Sequence, residues 1–185
     1  VVKEVPLTVN LIPGGGISQD DIDRYVKVDI QPESITIAGA AEDIEPISEI
    51  SLGDIDLSQI ITTGTFEMPI ELANELTNIS GVTRATVTVT IQGLETRTIS
   101  VSNFELRNVS EGFHAEMVTE SIDIQIRGPG DSLDQISPSQ ILVVGDLTDI
   151  ISATGRYTVP ARVYLNGPSD VGVVGEYNVT VQVTR

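Results

Sequence analysis

The chain has 185 residues, which at about 150 residues per domain leaves one domain or two open, and its 40 % hydrophobic content is too high for a disordered chain. Ten Lys and Arg against 27 Asp and Glu give a formal net charge of −17, which repels nucleic-acid phosphates and anionic membrane faces and argues against nucleic acid as a partner. There is no cysteine, hence no disulfide framework, thiolate nucleophile or Cys-bound zinc, and the redox compartment stays open.

Val (22), Ile (23) and Thr (18) together make up 63 of the 185 residues, and β-branched side chains favour strands. Apolar residues alternate in turn at Val5, Leu7, Val9, Leu11; at Val26, Val28, Ile30; at Val87, Val89, Ile91; at Ile122, Ile124, Ile126; at Val159, Ala161, Val163, Leu165; and at Val179, Val181, Val183. Each set predicts a strand with one buried face. The glycine run 14–16 and the Gly/Pro clusters at 128–130 and 167–172 read as turns. No window of about 12 residues carries a helical i, i+3, i+4 stripe, so the expectation is a mostly β fold of antiparallel sheet with short one-turn helices. No apolar run approaches the roughly 18 residues that cross a bilayer. The start at Val1, without a basic and then apolar leader, reads as a mature or trimmed piece whose signal or anchor lies elsewhere.

The sequence repeats itself. Ile37-Ala38-Gly39 recurs as Ile126-Arg127-Gly128, and Ile44 and Ile47 recur as Leu133 and Ile136, at an offset of 89 residues. Ile55-Asp56-Leu57 aligns with Gly145-Asp146-Leu147, Gly64-x-Phe66-x-x-Pro69 with Gly155-x-Tyr157-x-x-Pro160, and Val87-Thr88-Val89 with Val179-Thr180-Val181 at an offset of 92. Preserved order with so small a drift predicts two homologous domains, residues 1–94 and 95–185, with the boundary between Gln92 and Thr98. Within each copy, the acidic stretch before Ile44 and Ile47, or before Leu133 and Ile136, predicts one helical turn that caps the sheet, with an Asp side chain accepting its free N–H groups. Asp56 and Asp146 are expected to accept bonds from nearby backbone amides. Pro69 and Pro160 cannot donate to a ladder, which predicts edge strands or bulges there.

Candidate chemistry is sparse. The single histidine, His114, has Glu111, Glu116 and Glu120 nearby in sequence, which allows a mixed carboxylate-imidazole site only if three or more ligands converge. Asp20, Asp21 and Asp23, and Asp54 with Asp56, are oxygen-rich clusters that do not follow the calcium-loop spacing, so solvated charge and local capping explain them better. The glycines at 14–16 lack the Lys-Ser/Thr of a phosphate loop. Without Trp, and with three Phe and four Tyr, sugar hydrolysis across aromatic faces is a poor fit. The sequons at Asn78, Asn108 and Asn178 are too short to be informative. Phe66 and Tyr157 sit at equivalent positions, as core residues do, while Tyr25, Tyr164 and Tyr177 are candidates for a partner surface. No catalytic, cofactor-binding or metal-binding residue is assigned, and the chain is not expected to be an enzyme.

The succession VPLTVNL, PESITIAG, EDIEPISEI, DIDLSQI, GTFEMPIEL, GVTRATVTVTI resembles a YbbR-like domain, and SIDIQIRGP, DSLDQI, VGDLTDI, GRYTVPARVYL, EYNVTVQV resembles a second copy. The second copy departs in Gly145 for Ile55 and in ISVSNFELRN for the Pro-containing first strand. The resemblance implies a non-catalytic, extracytoplasmic, tandem β protein held at the cell membrane by an N-terminal helix absent from this sequence. It further implies regulation of a membrane-bound diadenylate cyclase, which makes cyclic di-AMP, through protein contacts, and it brings no catalytic, cofactor or metal residues. The alternative is an envelope-binding module for a cell-wall component, or a structural spacer, with no link to a cyclase.

Overall fold

A computed structural model describes residues 1–150 and 153–185. The chain divides into two compact units, one of Val1–Pro13 with Gln19–Gln92, the other of Gly14–Ser18 with Gly93–Arg185. The division differs from a simple cut in the sequence, because the Gly14–Ser18 segment packs with the second unit.

Unit 1 contains β1 (Val2–Ile12), α1 (Ile22–Tyr25), β2 (Val26–Gln31), β3 (Ser34–Ala38), α2 (Ala41–Ile44), β4 (Ile50–Asp56), β5 (Thr63–Pro69), β6 (Thr77–Asn78) and β7 (Arg84–Ile91). Unit 2 contains β8 (Glu95–Val101), β9 (Phe104–Arg107), β10 (His114–Met117), β11 (Ile122–Gly128), α3 (Gly130–Leu133), β12 (Ile141–Asp146), β13 (Gly155–Leu165), β14 (Gly172–Val174) and β15 (Tyr177–Thr184). The fold is mostly β, with helices of a single turn. Unit 1 holds sheets ordered β4-β1-β3-β6 and β2-β7-β5; unit 2 holds β10-β15-β13-β12-β9 and β14-β11-β8.

The two units use the same pairings. In unit 1 the first half of β1 runs antiparallel to β3 and the second half parallel to β4. In unit 2 the two halves are separate strands, with β8 antiparallel to β11 and β9 parallel to β12. Pro6 is the last β1 residue on the β3 ladder before β1 turns to β4, a place where a missing N–H is tolerated. The alternating residues do bury one face: Val5, Ile35, Ile37, Val87 and Val89 in unit 1, and Val101, Ile124, Ile126, Val143, Val179 and Val181 in unit 2. Val28 is a departure, 38 % exposed, because β2 is an edge strand.

The helical turns bury Ile44 and Leu133 fully, while Ile47 and Ile136 are half-buried. Their caps differ from expectation: the N-cap residues are Ala40 and Pro129, and no N-cap side chain bonds either turn. The last strands also differ in register from the sequence alignment. Phe66 pairs with Val87 and Tyr157 with Val181, so by pairing Val87 corresponds to Val181 rather than Val179.

Pro69 lies on β5, an edge strand. Pro160 lies on β13, which is interior, yet the β12 ladder begins only at Ala161 and residues 155–160 pair with β15 alone. The direction of the amides explains both prolines. Ile70 N–H bonds Thr83 O and Ile91 N–H bonds Thr62 O, so by the alternation of an antiparallel ladder the even residues of β5 serve β7 and the odd ones turn outward. Thr180 uses its backbone O for Val118 and its N–H for Thr119 Oγ1 on the β10 side, so its opposite residue Thr158, and with it Pro160, faces away from β15.

Candidate functional site

The predicted acceptors form local caps. Asp56 Oδ1 accepts from Ser58 N–H at 2.9 Å and Ser58 Oγ at 2.7 Å. Asp146 Oδ1 accepts from Thr148 N–H at 2.9 Å, Thr148 Oγ1 at 2.5 Å and Asn108 Nδ2 at 2.9 Å. Asn108 sits at φ +61, a conformation asparagine tolerates better than most residues. The Thr148 hydroxyl, then Asn108, then the Thr148 amide stabilise the charged form and lower the Asp146 pKa from 3.8 to about 2. Because the folded pKa is depressed, this carboxylate stabilises the fold above pH 3.8, and that contribution is lost as pH falls toward 2. A carbon-13 NMR titration of Asp146 is expected to give a midpoint near 2, moving up toward 3.8 in Asn108→Ala and Thr148→Ala.

The other candidates are not assembled into a site. His114 is an exposed β10 residue opposite Thr184, and Glu111, Glu116 and Glu120 are exposed as well. Asp20 and Asp23 are exposed on the short helical segment before β2. Among the described residues no three His, Asp or Glu come together to hold a metal. Gly14 and Ile17 exchange backbone bonds across Gly15 and Gly16, whose φ of +61 and +85 suit a tight hairpin turn.

The tyrosines separate. Tyr177 is tied inward, donating to Val174 O at 2.5 Å and accepting from Gln125 N–H at 2.8 Å. Tyr164 is 45 % exposed with the Arg107 guanidinium 5.9 Å from its ring, and Tyr25 is half-buried beside Arg24.

Each unit instead carries a groove beside its Asp cap. In unit 1 a groove of about 300 Å³ lies between β4 and β5, lined by Asp54, Ile55, Asp56, Phe66, Glu67 and Met68 among others. In unit 2 a groove of about 450 Å³ is lined by Asp146, Tyr157, Val159, Pro160 and Arg162 among others. Phe66 and Tyr157 are therefore half-buried groove residues, with Tyr157 also packed against the unit 2 core, which equivalence alone did not reveal. The units differ at this place. β12 pairs with β13 over Ile141–Gly145, whereas β4 among the described residues pairs with β1 alone. β4 carries a register shift between the partners of Thr8 and Asn10, around Gly53 at φ +128, and such a bulge bends a strand and ends pairing.

Residues 16–91 match the family model described as YbbR-like protein. Similar solved structures are a protein of Streptococcus thermophilus (18 % identity, 49 % of this chain and 83 % of that one, TM-score 0.38) and the YbbR-like domain of the lmo2119 protein of Listeria monocytogenes (16 %, 49 % and 93 %, 0.37). A third is a YbbR-like protein of Streptococcus pneumoniae (14 % identity, 100 % of this chain and 94 % of that one, TM-score 0.34). No curated protein matches. The chain carries a YbbR-like domain, matched over residues 16–91.

Proposed function

We propose that this chain is a pair of YbbR-like repeats forming the non-catalytic, extracytoplasmic part of a membrane-anchored bacterial protein that regulates a membrane-bound diadenylate cyclase through protein contacts. The observation that carries the reading is the YbbR-like match over residues 16–91. The shared strand pairings of the two units support the second repeat. The chemistry fits a binding role: Asp56 and Asp146 are engaged in capping their own turns, and His114 stands apart on an exposed strand.

Regulation through contacts requires the cyclase to have two states that bind this protein with different affinity. The test is cyclic di-AMP output in cells co-expressing the cyclase with the full anchored protein, with the anchored protein lacking residues 1–185, or with neither. Output that changes only when the residues are present supports the reading. Equal output in all three cultures removes the cyclase and leaves the envelope-binding reading.

A further inference from the structure

We infer that the open edge of β5 in unit 1 is a docking site for an extended, basic segment of another protein, which adds as a strand in the groove between β5 and β4. The first support is the backbone. Thr63, Thr65 and Glu67 turn their N–H and C=O groups away from β7, and among the described residues no strand pairs with β5 on that side. An unpaired edge of this kind is a template for strand addition. Pro69, which would be the next outward donor, closes the edge at its end.

The second support comes from unit 2. There the same side of β13 accepts a strand of the protein's own, β12, from Ala161 to Leu165, just beyond Pro160, the equivalent of Pro69. In unit 1 the bulged β4 is paired with β1, and on the outward side of β5, as on that side of the equivalent residues 155–160 of β13, no strand is paired among the described residues; Phe66 and Met68 lie half-buried at the floor of the unit 1 groove.

Charge selects the occupant. Asp54, Asp56 and Glu67 line the unit 1 groove with no basic side chain among its lining residues, whereas the unit 2 groove includes Arg162. A second copy of a chain with net charge −17 is repelled from such a rim. A strand alternating apolar and Lys or Arg residues places one set toward Phe66 and Met68 and the other toward the carboxylates.

The probe is a fluorescent peptide of about eight residues alternating Val and Lys, titrated into the full chain. Binding is expected to weaken about tenfold in Thr65→Pro, which removes an outward donor while keeping charge and the β7 ladder, and to change less than about twofold in Thr158→Pro of unit 2. Glu67→Gln is expected to weaken binding and reduce its salt dependence. Backbone N-methylation of the peptide keeps its charge and is expected to abolish binding, which tests the edge without altering the protein. The inference is overturned if the methylated peptide binds as well as the parent, if a Val/Glu peptide binds equally, or if a natively melting Thr65→Pro keeps full affinity. Self-association of the chain through this edge at micromolar concentration overturns it too. Peptide capture reads the edge alone and cyclic di-AMP output reads the cyclase link, so the two readings fail separately.

Discussion

Replacing Arg127 with alanine is expected to destabilise unit 2 by about 3 kcal/mol or more. Arg127 is 1 % exposed, and it is the one charged side chain in the buried set of the described residues. Its Nε donates to Gly15 O at 3.0 Å and its Nη2 lies 3.4 Å from Gly14 O, which also accepts from Ile17 N–H. Burial lowers its pKa from 12.5 to about 10, which leaves it charged at neutral pH. Alanine removes the guanidinium donor from the O of the buried Gly15 and opens a space the size of the side chain. Lysine is expected to recover little, because one ammonium cannot reproduce the planar fork of donors. Residue-resolved hydrogen exchange separates the units, as a bulk melt of two units does not. Amides of Ile124 and Ile126 are expected to exchange about a hundredfold faster in the alanine variant. A change below about tenfold would show that the carbonyls find other donors.

Much of the strand content was legible because half-buried sheet writes a period of two into the chain. β1, β7, β11, β13 and β15 all fall where alternation put them. Arg127 was not legible for the same reason. Alternation along β11 places it with Asp123 and Gln125 on the outer face, yet Ile126, Arg127 and Gly128 are buried in succession because Gly14–Ser18 covers that face. The glycines at 14–16 did announce a turn; where a turn packs depends on residues more than a hundred positions away, which local chemistry does not encode.

The register of β15 escaped for a related reason. A slip of two residues leaves every valine on its original face, so the alignment of Val87 with Val179 satisfied the pattern while the structure pairs as Val181. The Asp caps at 56 and 146 were readable because an Asx turn is a local arrangement of three residues. The groove between β4 and β5 was hidden, since Gly53 marks a bulge only once its partner strand is known.

Gly16→Ala tests the fit of that covering turn, and it has a control in the same unit. Gly16 has φ +85 and Gly112 φ +84, so an alanine meets almost the same backbone strain at either place, about 1–2 kcal/mol. Their surroundings differ. A Cβ on Gly112 finds nothing within 4 Å, whereas one on Gly16 collides with Arg127 O and comes within 2.9 Å of Asp170 O. Both obstacles are backbone atoms, which move only if β11 and the segment before β14 move with them. Gly112→Ala is therefore expected to cost the strain alone, and Gly16→Ala about 2 kcal/mol beyond it. Exchange at the amides of β11 reads the difference: the Gly16 variant is expected to open roughly thirtyfold more often than the Gly112 variant. Equal exchange in the two would mean that the turn shifts away from β11 at no cost, and would then also remove the reason for expecting a large effect at Arg127.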